Sequence, residues 1–463
     1  MNSAHNHNYT VKTLISRSKI IGVQLISNII DHLENMLALL NINVNMIKTS
    51  LMNKYTLLLS LYLLPFSITF AQTNKIDSSE IVNLRIDPET ARGAAVSDVF
   101  EDVKFIPLET TSESLFGRIQ QLGITKDYFI IYDGDTKAIL IFSKEGKYKT
   151  KIDANRISLG DDSGGASEFN GFELKRENDA DIIQIRASKN YVDFDLNGKL
   201  IKKVALTPAQ SSYYFANYTV GDDMVSIKFN RPTVKGSDTY HELVLAKGDD
   251  VVGRYLPFLR SIKYRDNIGR FGSNIFDYGK KDELYYVGWA GDLNIYKIKP
   301  AGVLLSYHFI LPEKYSLPLD FDSNPEYIGN KQLYFKNNRE KYFQIGNAFQ
   351  FGNNLFFNLM NSSSGNKSFL YNLKKSLLLS IRNLQPDQLS SFLPVTDATF
   401  DYYGFHLFKD GYLYNSYSSL SMFNFKQDSE NKSAKYSKLL QEYFSSQNKK
   451  GNPVLIMLKP KLN

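Results

Sequence analysis

The sequence predicts an all-β protein, and more narrowly a six-bladed β-propeller. The chain has 463 residues, of which 43% are hydrophobic, so it can bury a large core. Its 31 Phe and 30 Tyr residues favour strands, because aromatic side chains fit a pleated, half-buried surface. From Leu122 onward one unit recurs: an apolar strand, a polar turn, an alternating strand, a glycine turn and a third strand.

Six units follow this pattern along the chain. The clearest copy has strands at 128–133, 138–143 and 148–152. The later copies are predicted at 181–206, 224–256, 283–310, 354–381 and 411–425, the last with strands at 411–417 and 419–425. A seventh blade stays possible if a weak one lies between Arg260 and Phe276.

Glycine turns set the register inside each unit. Gly146 and Gly198 supply the positive φ that tight hairpins require, so each unit is a β-meander. A meander of this size cannot bury both faces alone, whereas several packed radially can. The pattern therefore predicts a propeller ring.

Closing the ring requires partners for the sixth unit. The strand-like segments 103–109 and 453–459 lie far apart in sequence, and we expect them to complete the last blade together. Between the unit and the second segment, residues 433–444 have apolar side chains at helical spacing. They predict one short amphipathic helix near the C-terminus that covers the ring.

The residues before the propeller resemble an export signal. Residues 52–71 combine Lys54, a short apolar run, and small residues at Thr69 and Ala71. This pattern predicts a signal peptide cleaved near Ala71, a propeller domain over 72–463, and a periplasmic or extracellular location. A retained membrane anchor is the weaker interpretation, since the apolar run is too short to span a bilayer. Residues 1–51 are interpreted as an upstream extension that is not native or is disordered, the alternative being an expressed amphipathic segment.

Composition excludes several classes of function. With no Cys, the chain has no disulfide scaffold, thiolate metal site, cysteine nucleophile or lipid-modified N-terminal Cys. Its net charge of +7 is not gathered into basic runs with interleaved aromatics, so we expect no nucleic-acid partner. We also expect no membrane span in the mature chain, and a monomer.

The two ends of the propeller segment carry a family resemblance. Residues 96–103, followed by 104–111 and 113–119, and the ending 452–459 resemble the secreted six-bladed β-propeller family of Bacteroides-type bacteria, which is similar to NHL-type propellers. The resemblance implies the fold and an exported location, without a settled activity. At the glycine-rich turn of that family this chain keeps Gly165, Glu168 and an aromatic residue, but lacks the proline and two glycines.

Catalytic and metal-binding patterns are sparse. After the leader only His241, His308 and His406 remain, in three different units, and structural roles are predicted for them. No zinc-protease, phosphate-loop or nucleophile-elbow pattern occurs in its required context. The loop acids Asp153, Asp161 and Asp162 are a weak candidate for Ca²⁺, so no cofactor is predicted.

The sequence offers six candidate ligand-binding residues, of which Arg118 and Glu168 lie in or beside turns and Trp289 follows a strand end. Aromatic rings with polar neighbours suit sugars or peptides, because the ring face buries area while its edge stays wet. The preferred hypothesis is an exported binding module, without evident catalysis, for a glycan, peptide or protein. The alternatives are a metal-assisted hydrolase or lyase, lactonase-like, with carboxylates at the central channel, and a structural scaffold in an envelope complex. The six candidate residues are Arg118, Arg156, Glu168, Trp289, Tyr402 and Tyr403.

Overall fold

A computed structural model of the chain places its strands in six small sheets, each one blade of a propeller ring. The structure describes residues 73–153, 171–187, 190–205, 218–222, 225–248, 250–263, 275–276, 280–363 and 367–462. The strands are β1 (Val82–Arg85), β2 (Arg92–Ala95), β3 (Phe100–Pro107), β4 (Gln121–Ile124), β5 (Tyr128–Asp133), β6 (Ala138–Ser143), β7 (Tyr148–Asp153), β8 (Glu173–Glu177), β9 (Ala180–Ala187), β10 (Asn190–Phe194), β11 (Leu200–Ala205), β12 (Tyr218–Val220), β13 (Val225–Pro232), β14 (Thr239–Lys247), β15 (Asp250–Leu259), β16 (Ile275–Phe276), β17 (Leu284–Val287), β18 (Asn294–Lys299), β19 (Gly302–Ile310), β20 (Gln344–Phe351), β21 (Asn354–Met360), β22 (Ser368–Asn372), β23 (Leu377–Gln385), β24 (Leu407–Lys409), β25 (Tyr412–Tyr417) and β26 (Val454–Pro460). The helices are α1 (Val96–Val99), α2 (Arg260–Lys263), α3 (Lys331–Asn337), α4 (Phe400–Tyr403), α5 (Ser419–Ser429) and α6 (Lys438–Ser446), with single 3-10 turns at Pro88–Thr90, Glu313–Tyr315, Gln388–Ser390 and Glu430–Lys432.

Each blade is a four-stranded antiparallel meander. Blades 1 to 5 are β4–β7, β8–β11, β12–β15, β16–β19 and β20–β23, and blade 6 is β24, β25, β26 and β3. The six-bladed prediction is confirmed. The predicted units correspond to the second, third and fourth strands of blades 1 to 5; the first strand of each blade was not predicted.

The first strand of each blade lies on the inner side of the ring and the fourth lies outside. Strand β20 is almost wholly buried, whereas all six residues of β11 are exposed. The predicted hairpin glycines have the expected geometry, with φ of 81° at Gly146 and 74° at Gly198.

The ring closes as predicted, by pairing the two ends of the propeller segment. Strand β26 runs antiparallel to β3, with Leu455 opposite Ile106 and Ile456 opposite Phe105. Leu455 and Ile456 are both fully buried, so this pairing also completes the apolar filling of blade 6.

An N-terminal strap, defined here as residues 73–95, crosses the outer edges of three blades. The Asn74 amide donates to the Arg254 carbonyl on blade 3, at 2.7 Å. Strand β1 then pairs in parallel with β19 of blade 4, and β2 with β23 of blade 5. The strap leads through α1 into β3, the outer strand of blade 6, and it was not predicted.

The core is divided among the junctions between blades. One buried cluster joins blades 1 and 2, another joins blades 3 and 4, a third joins blades 6 and 1, and the largest spans blades 4, 5 and 6. The sheets of blades 1, 4, 5 and 6 therefore bury both faces against their neighbours, which is the physical reason for the ring.

Two predictions about the long insertion of blade 6 need correction. Residues 419–425, predicted as a strand, begin helix α5, because the Ser418 side chain caps it by accepting from the Ser421 amide and helical spacing buries Met422. The helix predicted over 433–444 exists but is shifted: α6 begins after Ser437, whose side chain caps it. Within the described ranges, no helix has the length and apolarity needed to cross a bilayer.

Candidate functional site

All long connections of the propeller leave from one face of the ring. Because every pairing within a blade is antiparallel, the connections from second to third strand and from blade to blade share that face. We call it the long-connection face; it carries 108–120, 311–343, 386–406 and 418–453. The opposite face has short turns such as 144–147, 300–301 and 410–411. Binding residues on propellers are expected where loops have room to vary.

The insertion 311–343 builds a small aromatic layer on this face. Phe321, Phe335 and Phe343 form a buried cluster with Ala290 of the loop after β17. Lys331 is 3% exposed, pairs with Asp322, and its Nζ lies 5.0 Å from the Phe321 ring centroid. This layer fixes the loop that contains Trp289.

An aromatic strip lies at the junction of blades 3 and 4, made of Tyr240, Phe258 and Trp289 with Arg260 at its end. The ring centroids of Trp289 and Phe258 are 5.5 Å apart, and those of Phe258 and Tyr240 are 5.9 Å apart. The Arg260 guanidinium lies 5.4 Å over the Tyr240 ring and donates to its hydroxyl at 3.0 Å. Trp289 is only 8% exposed, whereas Tyr240 and Phe258 are half-buried and Arg260 is exposed.

A carboxylate in the same junction is held by a tyrosine of the next blade. Glu242 is 8% exposed and accepts a hydrogen bond from the Tyr286 hydroxyl at 2.9 Å. On the two neighbouring strands, Asn230 and Leu256 lie opposite Glu242 and have positive φ of 51° and 55°. Left-handed leucine is costly and is kept where the surroundings impose it.

A second group of hydrogen-bonded polar side chains lies in blade 4. The Tyr296 hydroxyl donates to Asp292 at 2.8 Å, and Asn294 bridges Asp292 at 2.6 Å to His308 at 2.8 Å. Burial first, and then the Asp292 charge, hold the pKa of Tyr296 far above its usual value. The phenol therefore stays protonated near neutral pH and serves as a hydrogen-bond donor.

Helix α4, which contains Tyr402 and Tyr403, is anchored by Asp401. This carboxylate is 4% exposed and accepts from the Ser368 hydroxyl at 2.7 Å and from Arg382 at 3.0 Å. The helix thus has a fixed position on the long-connection face, before the first strand of blade 6.

A repeated Gly-Phe clasp, which sequence reasoning missed, fixes two blade junctions. The Asn347 side chain donates to the Phe405 carbonyl and accepts from the Phe405 amide, both at 2.8 Å. Gln121 makes the same pair of bonds with Phe172, at 2.7 and 2.9 Å. In both places a positive-φ glycine precedes the phenylalanine. The recurring Gly-Phe at 171–172 and 404–405 is therefore the sequence feature from which the clasp could have been predicted.

The structure does not gather the predicted site residues into one cluster. Arg118, whose Nε is 3.6 Å from the Asp135 carboxylate, belongs to the junction of blades 6 and 1, while Trp289 belongs to the opposite junction of blades 3 and 4. Tyr402 and Tyr403 lie between blades 5 and 6. All four are on the long-connection face. Arg156 and Glu168 lie outside the described residues.

The three histidines lie in three different blades, and each has a hydrogen-bonding neighbour. His241 is fully buried with Nε2 3.0 Å from the Thr73 hydroxyl, and His406 Nε2 is 2.8 Å from the Ser416 hydroxyl. Burial lowers the pKa of both, that of His406 to about 4. Among the described residues no three His, Asp or Glu side chains are grouped as a metal site would need. Asp161 and Asp162 of the predicted Ca²⁺ cluster lie outside the described residues.

Comparisons with known proteins agree with the six-bladed fold. The chain belongs to the family described as Domain of unknown function (DUF4934), whose pattern matches residues 80–459. No curated protein matches it.

Among solved structures, the chain is similar to a Bacteroides fragilis protein inferred to be exported. The two share 15% sequence identity over 82% of this chain and 99% of the other, with a TM-score of 0.53, which supports the fold alone. It is also similar to a DUF4221 family member from Bacteroides vulgatus, with 8% identity over 78% and 98% of the chains and a TM-score of 0.35. A streptogramin B lyase gives 9% identity over 79% and 100%, with a TM-score of 0.36. The last two likenesses are too loose to bear on function.

Proposed function

We propose that the chain is an exported binding module that takes a glycan ring against the aromatic strip of the long-connection face. The proposal rests on the strip itself: half-buried Phe258 contacts Trp289, half-buried Tyr240 contacts Phe258, and the exposed Arg260 lies over Tyr240 at one end. A pyranose has an apolar face that buries area on an aromatic ring and hydroxyls that need donors and acceptors at the rim.

Three features support binding at this place. The strip lies on the face that carries all the long connections. The layer of 311–343 holds the Trp289 loop from one side, and the Glu242–Tyr286 bond at 2.9 Å ties blade 3 to blade 4 beneath it. A preorganised surface loses little freedom on binding, which favours affinity.

Export is part of the same proposal. The signal pattern at 52–71 supports it, and so does the likeness to a Bacteroides fragilis protein inferred to be exported. N-terminal sequencing of the protein from its native host, with cell fractionation, tests it: a mature chain that keeps residues 1–51 in the cytoplasmic fraction contradicts export.

Tryptophan fluorescence can report binding at the strip, because Trp289 is the only tryptophan of the chain. We would titrate the protein with neutral hexasaccharides, cellohexaose and maltohexaose among them, and follow tryptophan emission. A saturable shift is expected for at least one sugar, weakened tenfold or more by Arg260→Ala or Phe258→Ala.

Lys104→Ala is the matched control. It removes the same kind of cation–tyrosine pair, since Lys104 Nζ lies 4.8 Å from the Tyr412 ring centroid, but in blade 6. Binding that is equally weakened by Lys104→Ala, or emission that never changes while calorimetry detects sugar binding, places the ligand elsewhere. The absence of binding across neutral and acidic sugars rejects the glycan.

A further inference from the structure

We infer that the N-terminal strap positions the aromatic strip, so that a ligand binds fully only when the strap is docked on the ring. The inference rests on the proposed function, because it assigns a controlling element to the same site. The strap touches both sides of the strip: Thr73 contacts blade 3, and the 3-10 turn at Pro88–Thr90 contacts the insertion 311–343. Thr73 and Glu89 are thus positioning residues.

On the blade 3 side, the strap supplies a hydrogen bond to a buried histidine. His241 is fully buried, and its Nε2 lies 3.0 Å from the Thr73 hydroxyl. Nδ1 of the same ring has no hydrogen-bond partner in the part of the chain that the structure describes. Leaving a buried polar group without its partner is costly, so the imidazole depends on Thr73 for its place.

His241 lies between two residues of β14 that shape the junction of blades 3 and 4. Tyr240 precedes it and belongs to the strip, and Glu242 follows it and binds a tyrosine of blade 4. The Tyr240 ring packs on Phe258, which packs on Trp289. Because neighbouring residues share one backbone, a shift of His241 moves the strip as well.

On the blade 4 side, Glu89 of the strap holds the insertion 311–343. Its carboxylate accepts from Lys314 Nζ and from the Tyr315 hydroxyl, both at 2.6 Å. The Tyr315 carbonyl accepts in turn from the Tyr342 amide at 2.9 Å, and the two ring centroids are 5.6 Å apart. One carboxylate of the strap therefore fixes both ends of the insertion.

The second end of the insertion holds the loop of Trp289 directly. The Phe343 carbonyl accepts from the Gly291 amide at 2.6 Å, and Phe343 packs with Ala290 in the buried cluster of the insertion. Energetic coupling between separate positions is carried by chains of packed side chains and hydrogen bonds of this kind. The contacts that begin at Glu89 therefore end on both sides of the strip tryptophan.

The test measures Trp289 first without a ligand. Acrylamide quenching of tryptophan emission reports how well the ring is covered, because the chain has a single tryptophan. The variants are Thr73→Val and Glu89→Ala, while Thr73→Ser and Glu89→Gln keep a hydrogen-bonding group in place. The matched control is Glu101→Ala, which removes another exposed ion pair, Lys459 with Glu101 at 2.9 Å, on blade 6. Since exposed ion pairs contribute little to global stability, a change confined to Trp289 separates positioning from general destabilisation.

We expect Thr73→Val and Glu89→Ala each to raise the quenching constant about twofold, and the serine and glutamine variants to restore most of the difference. Cellohexaose or maltohexaose should bind about fivefold more weakly to Thr73→Val and Glu89→Ala, and Glu101→Ala should change neither quantity. Unchanged quenching in both variants overturns the inference, as does an equal change in Glu101→Ala. If no sugar binds the wild-type protein, the glycan proposal fails, while the quenching constants still decide whether the strap positions the strip.

Discussion

Replacing Gly404 with alanine is expected to destabilise the propeller strongly, through the clasp between blades 5 and 6. Gly404 has φ of 61° and ψ of −151°, a region essentially closed to residues with a Cβ. An added Cβ would lie 2.6 Å from Asn347 Nδ2 and 2.7 Å from its Oδ1. The side chain that makes both hydrogen bonds to Phe405 would have to move.

The magnitude follows from two costs. Forcing alanine into this backbone region costs about 1–3 kcal/mol. Losing two hydrogen bonds costs about 1 kcal/mol each. The Gly404→Ala variant should therefore lose about 3–5 kcal/mol, a large part of the ~5–15 kcal/mol by which proteins are usually stable.

Urea denaturation followed by Trp289 emission measures this loss as a shift in midpoint at constant slope. Gly411→Ala is the control, because Gly411 also has positive φ, 81°, but an added Cβ meets nothing within 4 Å. It should lose only about 1–2 kcal/mol. If Gly404→Ala is no more destabilised than Gly411→Ala, the clasp does not contribute to the stability of the propeller. The double variant Asn347→Gly, Gly404→Ala should lose clearly less stability than the sum of the two single changes, since both single changes remove the same two hydrogen bonds to Phe405.

Three further predictions concern charge, anchoring and closure. Burial lowers the pKa of His406 to about 4, so between pH 6.5 and 4 the unfolded chain binds more protons than the folded chain. The free energy of unfolding therefore decreases as the pH is lowered through that window. Because the His406 imidazole is half-buried, we expect the free energy of unfolding to decrease by about 1–2 kcal/mol between pH 7 and pH 5. The decrease should be smaller in His406→Gln, and urea midpoints at both pH values measure it. Asp401→Ala removes the carboxylate that accepts from Ser368 and Arg382, and it should destabilise the fold by about 2–4 kcal/mol. Asp401→Asn should destabilise the fold less. Equal thermal midpoints for wild type and Asp401→Ala would contradict the anchoring role. Ile456→Ala opens a cavity in the closing strand and should cost about 2–5 kcal/mol, whereas the same change at the exposed Ile201 should cost under 1 kcal/mol in the same denaturation assay.

The sequence predicts the fold where a strand is long and flanked by turns. Residues 128–133 and 138–143 have both signals, and both are strands. The first strands of the blades escape prediction because some are very short, such as Ile275–Phe276, and two residues cannot show a period. The segment 419–425 has apolar residues at spacings that fit either period, and the Ser418 cap decides for a helix.

The candidate site is harder to predict for a different reason. Trp289 attracts notice as the single tryptophan, but Tyr240 and Phe258 do not stand out among the 31 phenylalanines and 30 tyrosines of the chain. They join Trp289 only because β14 and β15 of blade 3 pack against the loop after β17 of blade 4. A site formed between blades depends on tertiary packing, which a local pattern does not contain.

The N-terminal strap constrains the order in which the ring can be completed. Strand β3 needs β26, and Phe116 is bound through its amide to Asn452, 336 residues later. Strands β1 and β2 need β19 and β23, which also come much later in the chain. The first 35 residues of the described fold therefore find their partners only after most of the chain is present, and such non-local pairing slows folding. Blade 6 therefore cannot close before residues 454–460 are present to pair with β3.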